Sequence, residues 1–510
     1  MQYQPTSQRA PSIGILDGLM DNIRASGRDP KRTLMGFAAA WAAFVLISGV
    51  LPPPKGLSPA GMAVLAVVVW ASIMWVTEAI PAGISGLLIP MLLVISGGAK
   101  SFPNAASGFS TPVVALCLTA FIFAAIMQVA GLDRRIALAM LRTLRAKTVN
   151  GVIWAMFAVN MVLSLIIPAA NARAATLLPV INGICKFFDD SDAGARGKKA
   201  IVIQTLVYGS MISGMCIITA HLPNYVLVNL FAVNLKLELS YIDWFKLQWP
   251  YLGMFVITQW WVQYFFRTRK VGVQGGYQAV ETMYGKLPAT SRSEWLLLIV
   301  FATVALAWMF EPFHHIEAQN VALMGLAVAF VPGGFAFNWK DIEQHTIWGT
   351  LLLLAGALSL SAAMSASGLA NYLAEALHPA TAGFPWWGII LVMMLGTHFI
   401  RIGMLSNVAA ITMLAPILIA LAPKLGLHPV AFTMLVADTD TFAYLLPTQI
   451  TAAVIAYSSG TFTTSDYFRV GWVAVLIAIV YGIVVMAPWY AYLGVPLWDP
   501  AAPWPFGKLK

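Results

Sequence analysis

Thirteen apolar runs separated by short polar loops dominate this sequence. Eleven suit a single bilayer crossing, at roughly 34–51, 59–79, 82–97, 108–131, 199–234, 243–266, 294–312, 316–333, 346–370, 428–460 and 470–494. Lipid offers an open backbone no hydrogen-bond partner, so such runs fold as helices. Two more, 150–186 and 384–422, are too long for one helix and carry Pro and small polar residues in mid-run. They read as re-entrant hairpins whose non-helical tips are tolerated only inside protein or along a cavity. With 59% hydrophobic and 10% charged residues over 510 positions, the chain is far too apolar for a soluble protein. The expectation is an all-α polytopic membrane protein with about 11 transmembrane helices plus two hairpins.

Basic residues favour cytoplasmic loops, which tests this topology. With the N-terminus inside, 21 of the 30 Lys and Arg fall in cytoplasmic segments, among them Arg9, Arg28, Arg134, Arg142, Lys199 and Lys340. Seven, including Lys508 and Lys510, fall outside, and Arg173 and Arg401 lie within the hairpins. The reading gives a polar cytoplasmic tail at 1–33, a first membrane half at 34–266 and a cytoplasmic linker at 267–293. A second half at 294–494 and an outer tail at 495–510 complete it. The tail has no secretory h-region. A multi-pass protein of the cell inner membrane is expected, N-terminus cytoplasmic and C-terminus outside. The net charge of +9 is then mostly loop charge and does not suggest nucleic acid as a partner. Cys117, Cys185 and Cys216 sit in or at the end of apolar runs, where no disulfide framework is expected.

The chain also repeats itself. Residues 110–132 resemble 346–369, aligning Ala125 with Ala362, Met127 with Met364, Gly131 with Gly368 and Leu132 with Leu369. Downstream, "AANARAATLLP" (169–179) resembles "SNVAAITMLAP" (406–416), with Pro179 on Pro416. The offset is 237 throughout. The first copy starts outside and the second inside, so the repeats are inverted. Inverted repeats with broken helices are how secondary transporters build a midplane substrate site. Shared Ala/Leu/Gly-rich composition is the blander alternative, against which the constant offset over two motifs argues.

Four interruptions could expose helix N-termini, which favour anions: 168–173, 398–408, 214–224 and 445–460. A buried Arg costs at least about 2.5 kcal/mol to insert unless something compensates it, and its fork of donors matches a carboxylate. Arg173 therefore reads as a ligand for a carboxylate, or else as a brace that pairs with a buried acid or reaches a helix C-terminus. Arg401, several residues before its tip, could instead snorkel to water. Asp438 and Asp440 could bind a coupling proton or cation, or neutralise an arginine. Glu78, beside Pro81, reads as a brace. His221 and His398 flank interruptions and could donate to an anion or titrate, though a lone histidine is more often simply hydrogen-bonded. His314 and His315 lack a recognised metal-ligand spacing. No metal or cofactor is expected. Phosphate-binding, zinc-protease and nucleophile-elbow motifs are absent from the sequence, so an enzyme is not expected.

"WVTEAIP" (75–81), "AGLDRRIA" (130–137), the Pro223–Asn224 pair and "YSSGTFTTSDYFRVGW" (457–472) resemble, in that order, stretches of the divalent anion/sodium symporter family. The likeness runs from about 34 to 494. Family members carry a Ser-Asn-Thr tip in each hairpin, which in the sodium-coupled branch helps bind substrate and sodium. Here the second tip reads Ser406, Asn407, Val408 and the first Ala169, Ala170, Asn171, which puts a sodium site at the first in doubt. Arg173 and "GLDRRIA" are similar to the citrate/succinate and 2-oxoglutarate/malate exchanger branch. "TQITAA" (448–453) departs from the family's pattern.

The resemblance implies sodium-independent exchange of small dicarboxylates of the succinate, malate, 2-oxoglutarate, citrate or tartrate type. It also implies a scaffold, a transport domain moving in elevator fashion, and a homodimer. The site expected is Arg173, Asn171, Ser406 and Asn407, completed by Thr219, His221, Pro223, Asn224, Thr448 and Thr451, with His398 and Arg401 adjoining. The alternative is sodium- or proton-coupled symport through Ser406 and Asn407 or through Asp438 and Asp440.

Overall fold

A computed structural model describes residues 15–25, 29–188, 191–273, 275–335, 337–381 and 383–506. The described chain is helical, with one isolated antiparallel bridge between Thr148 and Gly272. Seven described helices are long and apolar enough to cross a membrane: Pro30–Val50, Pro59–Thr77, Pro112–Ala130, Arg292–Met309, Trp348–Ala366, Asn407–Leu425 and Thr464–Tyr492. Six coincide with expected spans; the other, Asn407–Leu425, is the second arm of the second hairpin. The remaining expected spans are short helices, Ala82–Ile95, Leu252–Phe266 and Ala318–Ala329, or helices broken in the middle.

The repeat is visible in the elements. Leu132–Leu144 matches Leu369–Thr381, Val149–Ser164 matches Trp386–Arg401, and Ala170–Cys185 matches Asn407–Leu421. Gly131 and Gly368 adopt the same left-handed conformation, φ 68° and 81°, which a Cβ would strain. Those last two pairs are the arms of the hairpins. Thr148 caps the first, its Oγ1 accepting from Gly151 N at 3.0 Å. Pro168 then interrupts the chain, because the residue before a proline avoids helical geometry. In the second hairpin Ser406 restarts the helix by accepting from Ala409 N at 3.3 Å.

Each hairpin is followed by a broken helix. The first runs through Asp192–Val202, a π-helical stretch Ile203–Gly209 and Ser210–Met215, breaks, and resumes as Leu222–Leu235. Asn160 of the hairpin donates to Thr205 O at 3.1 Å, a carbonyl of that stretch. Asn224 closes the break by donating to Gly214 O and Ile217 O at 3.0 and 2.9 Å. The second breaks between Pro429–Thr441 and Thr451–Tyr457, where Gln449 Oε1 accepts from Leu445 N and Leu446 N at 2.9 and 2.8 Å. Non-helical backbone at this depth is tolerated because its polar groups are satisfied within the protein.

Ala82–Ile95 crosses Trp348–Ala366 at backbone contact. A Cβ on Gly83 would stand 2.6 Å from Gly349 O, and one on Gly86 2.5 Å from Leu352 O. Small residues let membrane helices approach this closely.

Three connecting segments are more ordered than the sequence suggested. The N-terminal segment holds a helix, Ile15–Ala25, and the next begins at Pro30, with Asp29 accepting from Lys31 N at 2.9 Å. The linker folds back on the first hairpin, with Val149 N donating to Val271 O and Val273 N to Lys147 O. The C-terminal segment is not a loose tail: His428 N donates to Leu497 O at 2.8 Å, and Val495, Leu497 and Phe506 are buried. Arg9, Arg28, Lys508 and Lys510 lie outside the described residues.

Candidate functional site

Both hairpin tips and both broken helices meet at one cavity of about 290 Å³. The first tip supplies Ala169, Ala170 and Asn171; the second supplies Leu405, Ser406, Asn407 and Val408. The helix breaks supply His221, Leu222 and Pro223 on one side and Ile450, Thr451 and Ala452 on the other. The opposite wall comes from the tightly crossed pair and its neighbour: Met74, Trp75, Glu78, Pro81, Thr350 and Leu353.

The tips present helix starts. Ala170–Cys185, Leu222–Leu235 and Asn407–Leu421 all begin at the cavity wall. The first N–H groups of a helix have no intrahelical acceptor, and each helix start carries roughly half a positive charge. Three convergent starts make a cavity suited to an anion.

Of the residues expected to form the site, Asn171, His221, Pro223, Ser406, Asn407 and Thr451 line the cavity. The others do not. Thr219 Oγ1 is bonded to Tyr241 Oη at 2.8 Å, Asn224 is spent on its helix break, and Thr448 is exposed away from the lining. His398 is buried, and among the described residues both its ring nitrogens lack a partner.

Arg173 departs from the direct-ligand reading. It is fully buried and caged by carbonyls: Nη1 donates to Ile167 O and Ala220 O at 2.8 Å, and Nη2 to Ser210 O at 2.7 Å. The carbonyls freed by the hairpin tip and the helix break take both terminal nitrogens of the guanidinium, while Nε has no partner among the described residues, so the side chain braces these two irregular segments against each other. Gly214 leaves it room, since a Cβ there would stand 2.8 Å from Arg173 Nη2. Arg401 does not snorkel. It donates to Met404 O at 2.7 Å, to Gln449 O at 2.6 Å and to Asn407 Oδ1, and its Nε lies 3.5 Å from Asp440 Oδ1. Asp438 faces elsewhere, accepting from Gln248 Nε2 at 2.8 Å and from Tyr490 Oη at 3.3 Å.

Sequence reasoning missed the opposite wall. Glu78, read as a brace, stands at the cavity in a left-handed conformation, φ 52°. Trp75, whose Nε1 donates to Ser85 Oγ at 2.8 Å, was marked only by the family-like stretch 75–81, and Thr350 carried no signal of its own, because both reach the site only through helix crossing.

Comparison with known proteins agrees with this architecture. The chain is 28% identical over 489 residues to a membrane protein of Cupriavidus necator, covering 91% of this chain and 94% of that one. It is 26% identical over 490 residues to the sodium-dependent dicarboxylate transporter SdcS of Staphylococcus saprophyticus, covering 92% and 93%. The YdaH transporter of Alcanivorax borkumensis, known from its crystal structure, matches with a TM-score of 0.52 over 86% of this chain and 100% of that chain. At 14% identity that likeness concerns the fold. The family model described as the sodium:sulfate symporter transmembrane region matches residues 32–496, and the chain belongs to this family of membrane transporters.

Proposed function

We propose that the protein carries small dicarboxylates of the succinate, malate, 2-oxoglutarate, citrate or tartrate type across the cell inner membrane. The observation that carries this reading is the convergence of three helix starts on one cavity. Arg173 adds a positive charge with no ion pair among the described residues. It acts through the tip it braces rather than by touching the anion. Asn171, Ser406, Asn407 and Thr451 provide polar contacts for the carboxylates, while Met74, Met211, Leu353 and Leu405 suit a carbon skeleton. The volume lies near the lower end of small-molecule sites, in keeping with a compact substrate.

Sodium-independent exchange is supported by the tips. Ala169 and Ala170 offer no side-chain oxygen, and Asn407 Oδ1 already accepts from Arg401 Nη2. Sodium-coupled symport is the second reading, favoured by the name of the staphylococcal relative. With the N-terminus cytoplasmic, the lining residues 74–82 and 350–353 belong to cytoplasmic helix ends, so the cavity faces inward. Its exposure to the other side would need the hairpin-bearing part to move against the crossed helices, in a protein we take to be a homodimer.

Uptake of labelled succinate into proteoliposomes, preloaded with succinate or empty and with or without sodium, tests this. Uptake that requires internal dicarboxylate and ignores sodium supports exchange. Sodium-driven uptake into empty vesicles supports the second reading, and no uptake of any dicarboxylate refutes both.

A further inference from the structure

Behind the second tip lies a buried polar cluster that does not itself line the cavity. Arg401 Nε stands 3.5 Å from Asp440 Oδ1, and neither side chain is exposed. Among the described residues, both Asp440 oxygens, Arg401 Nε, Gln449 Nε2 and both ring nitrogens of His398 are buried without a hydrogen-bond partner. Among those residues no N–H or O–H donor solvates the Asp440 carboxylate, and the charge of Arg401 offsets the cost of burying it. Arg401 is shared, because its Nη2 also donates to Asn407 Oδ1, and Asn407 lines the cavity. The same guanidinium thus faces a buried acid on one side and, through one side chain, the proposed anion on the other.

We propose that Asp440 is a proton-binding site linked to substrate, so that the anion and a proton bind together. The proposal rests on the anion-carrier reading. A dianion at the start of Asn407–Leu421 brings two negative charges toward the guanidinium that holds Asp440 ionised. The Asp440 carboxylate and the incoming carboxylates then draw on the same guanidinium. A proton from solution binds an Asp440 oxygen, leaving a neutral acid and freeing the charge of Arg401 for the substrate. Release of the anion reverses the step, and no other bond forms or breaks.

Arg401 is the charged group set against Asp440. His398 lies one turn before Arg401 on the same arm, and His221 is within electrostatic reach of Arg401 from the first helix break. Asp438, on Asp440's own helix, is engaged by Gln248 and Tyr490. These groups are the alternatives that the experiment separates.

The test uses purified full-length protein in weakly buffered detergent solution, mixed with succinate at matched pH. Binding is followed by calorimetry and protons by an indicator dye. Wild type is expected to take up nearly one proton per succinate bound. Asp440→Asn is expected to bind succinate without proton uptake, while His398→Gln keeps the uptake. In wild type, infrared difference spectra with carbon-13-labelled succinate should show a new protonated-carboxyl band from the protein, a reading that does not depend on the variant folding. Succinate binding without proton uptake overturns the proposal and leaves the carrier reading intact. So does uptake retained in Asp440→Asn. Failure to bind any dicarboxylate overturns the carrier reading and the proposal together.

Discussion

Arg173 and Arg401 hold matching posts in the two halves of the molecule, and among the described residues only Arg401 of the two has an acid beside it. Each ties its own hairpin tip, at Ile167 O or Met404 O, to the break in a helix, at Ala220 O or Gln449 O. Asp440 lies 3.5 Å from Arg401 Nε, whereas the described contacts of Arg173 are all to carbonyls. The second half is therefore close to neutral at its brace and the first is positive. That asymmetry leaves the occupant of the cavity as the natural counter-ion for the first hairpin.

Replacing Arg173 should thus harm stability and binding together. Arg173→Met leaves three carbonyls without their shared donor, at a cost of roughly 2–5 kcal/mol. Arg173→Lys should fare little better, since one ammonium lacks the planar fork that reaches three acceptors at once. Thermal unfolding in detergent should show a lower Tm for both, and exchange assays a KM for succinate raised at least tenfold. An unchanged Tm in Arg173→Met would remove the brace, and an unchanged KM would remove its electrostatic role.

The sequence revealed the hairpins and the helix breaks because Pro168, Ser406 and the Pro223–Asn224 pair stand out inside apolar runs. It also singled out both arginines, since a charge at that depth demands an explanation. It could not say where their guanidinium groups point. The acceptors of Arg173 are backbone carbonyls of Ser210 and Ala220, 37 and 47 residues away, and carbonyls leave no trace in a sequence. The wall formed by Trp75, Glu78 and Thr350 was hidden for a related reason: it exists only because Gly83 and Gly86 let two distant helices cross.

That crossing makes a position-specific prediction. A Cβ on Gly86 would stand 2.5 Å from Leu352 O and 2.8 Å from Leu353 Cα, so Gly86→Ala forces the backbones apart. Overpacking of this kind costs about 1–3 kcal/mol. A Cβ on Gly349, across the same interface, meets nothing within 4 Å. Thermal unfolding should therefore separate the pair, with Gly86→Ala clearly destabilised and Gly349→Ala near wild type. Equal effects would mean that the helices cross differently.

The linker offers a pH-dependent contact outside the membrane. Tyr277 Oη and then Arg142, whose Nε lies 3.0 Å from Glu281 Oε1, hold the Glu281 carboxyl below its ordinary range. A carboxyl lowered by folding contributes stability above its unfolded value and loses it as the pH falls through the folded one. Intrinsic-rate-corrected amide exchange of 276–285 should therefore speed up on acidification in wild type. Glu281→Gln should be fast already at neutral pH and respond little to acid. A wild-type linker indifferent to pH would show that the contact does not hold it.

Among the described residues, Glu78 is the one acidic side chain lining a cavity otherwise arranged for anions. Its charge opposes the helix starts across the site and repels the charge of a bound dianion. Water and salt at this exposed wall screen that repulsion, so Glu78→Gln is expected to lower the succinate KM about threefold to tenfold, more at low ionic strength than at high. The φ of 52° is a separate liability, because a left-handed conformation is strained for any residue with a Cβ. Glu78→Gly removes charge and strain together and so serves as the comparison. If both variants lower KM alike and only at low salt, the charge is what selects against a dianion. If Glu78→Gly alone changes transport, the backbone at this turn matters and the carboxylate does not.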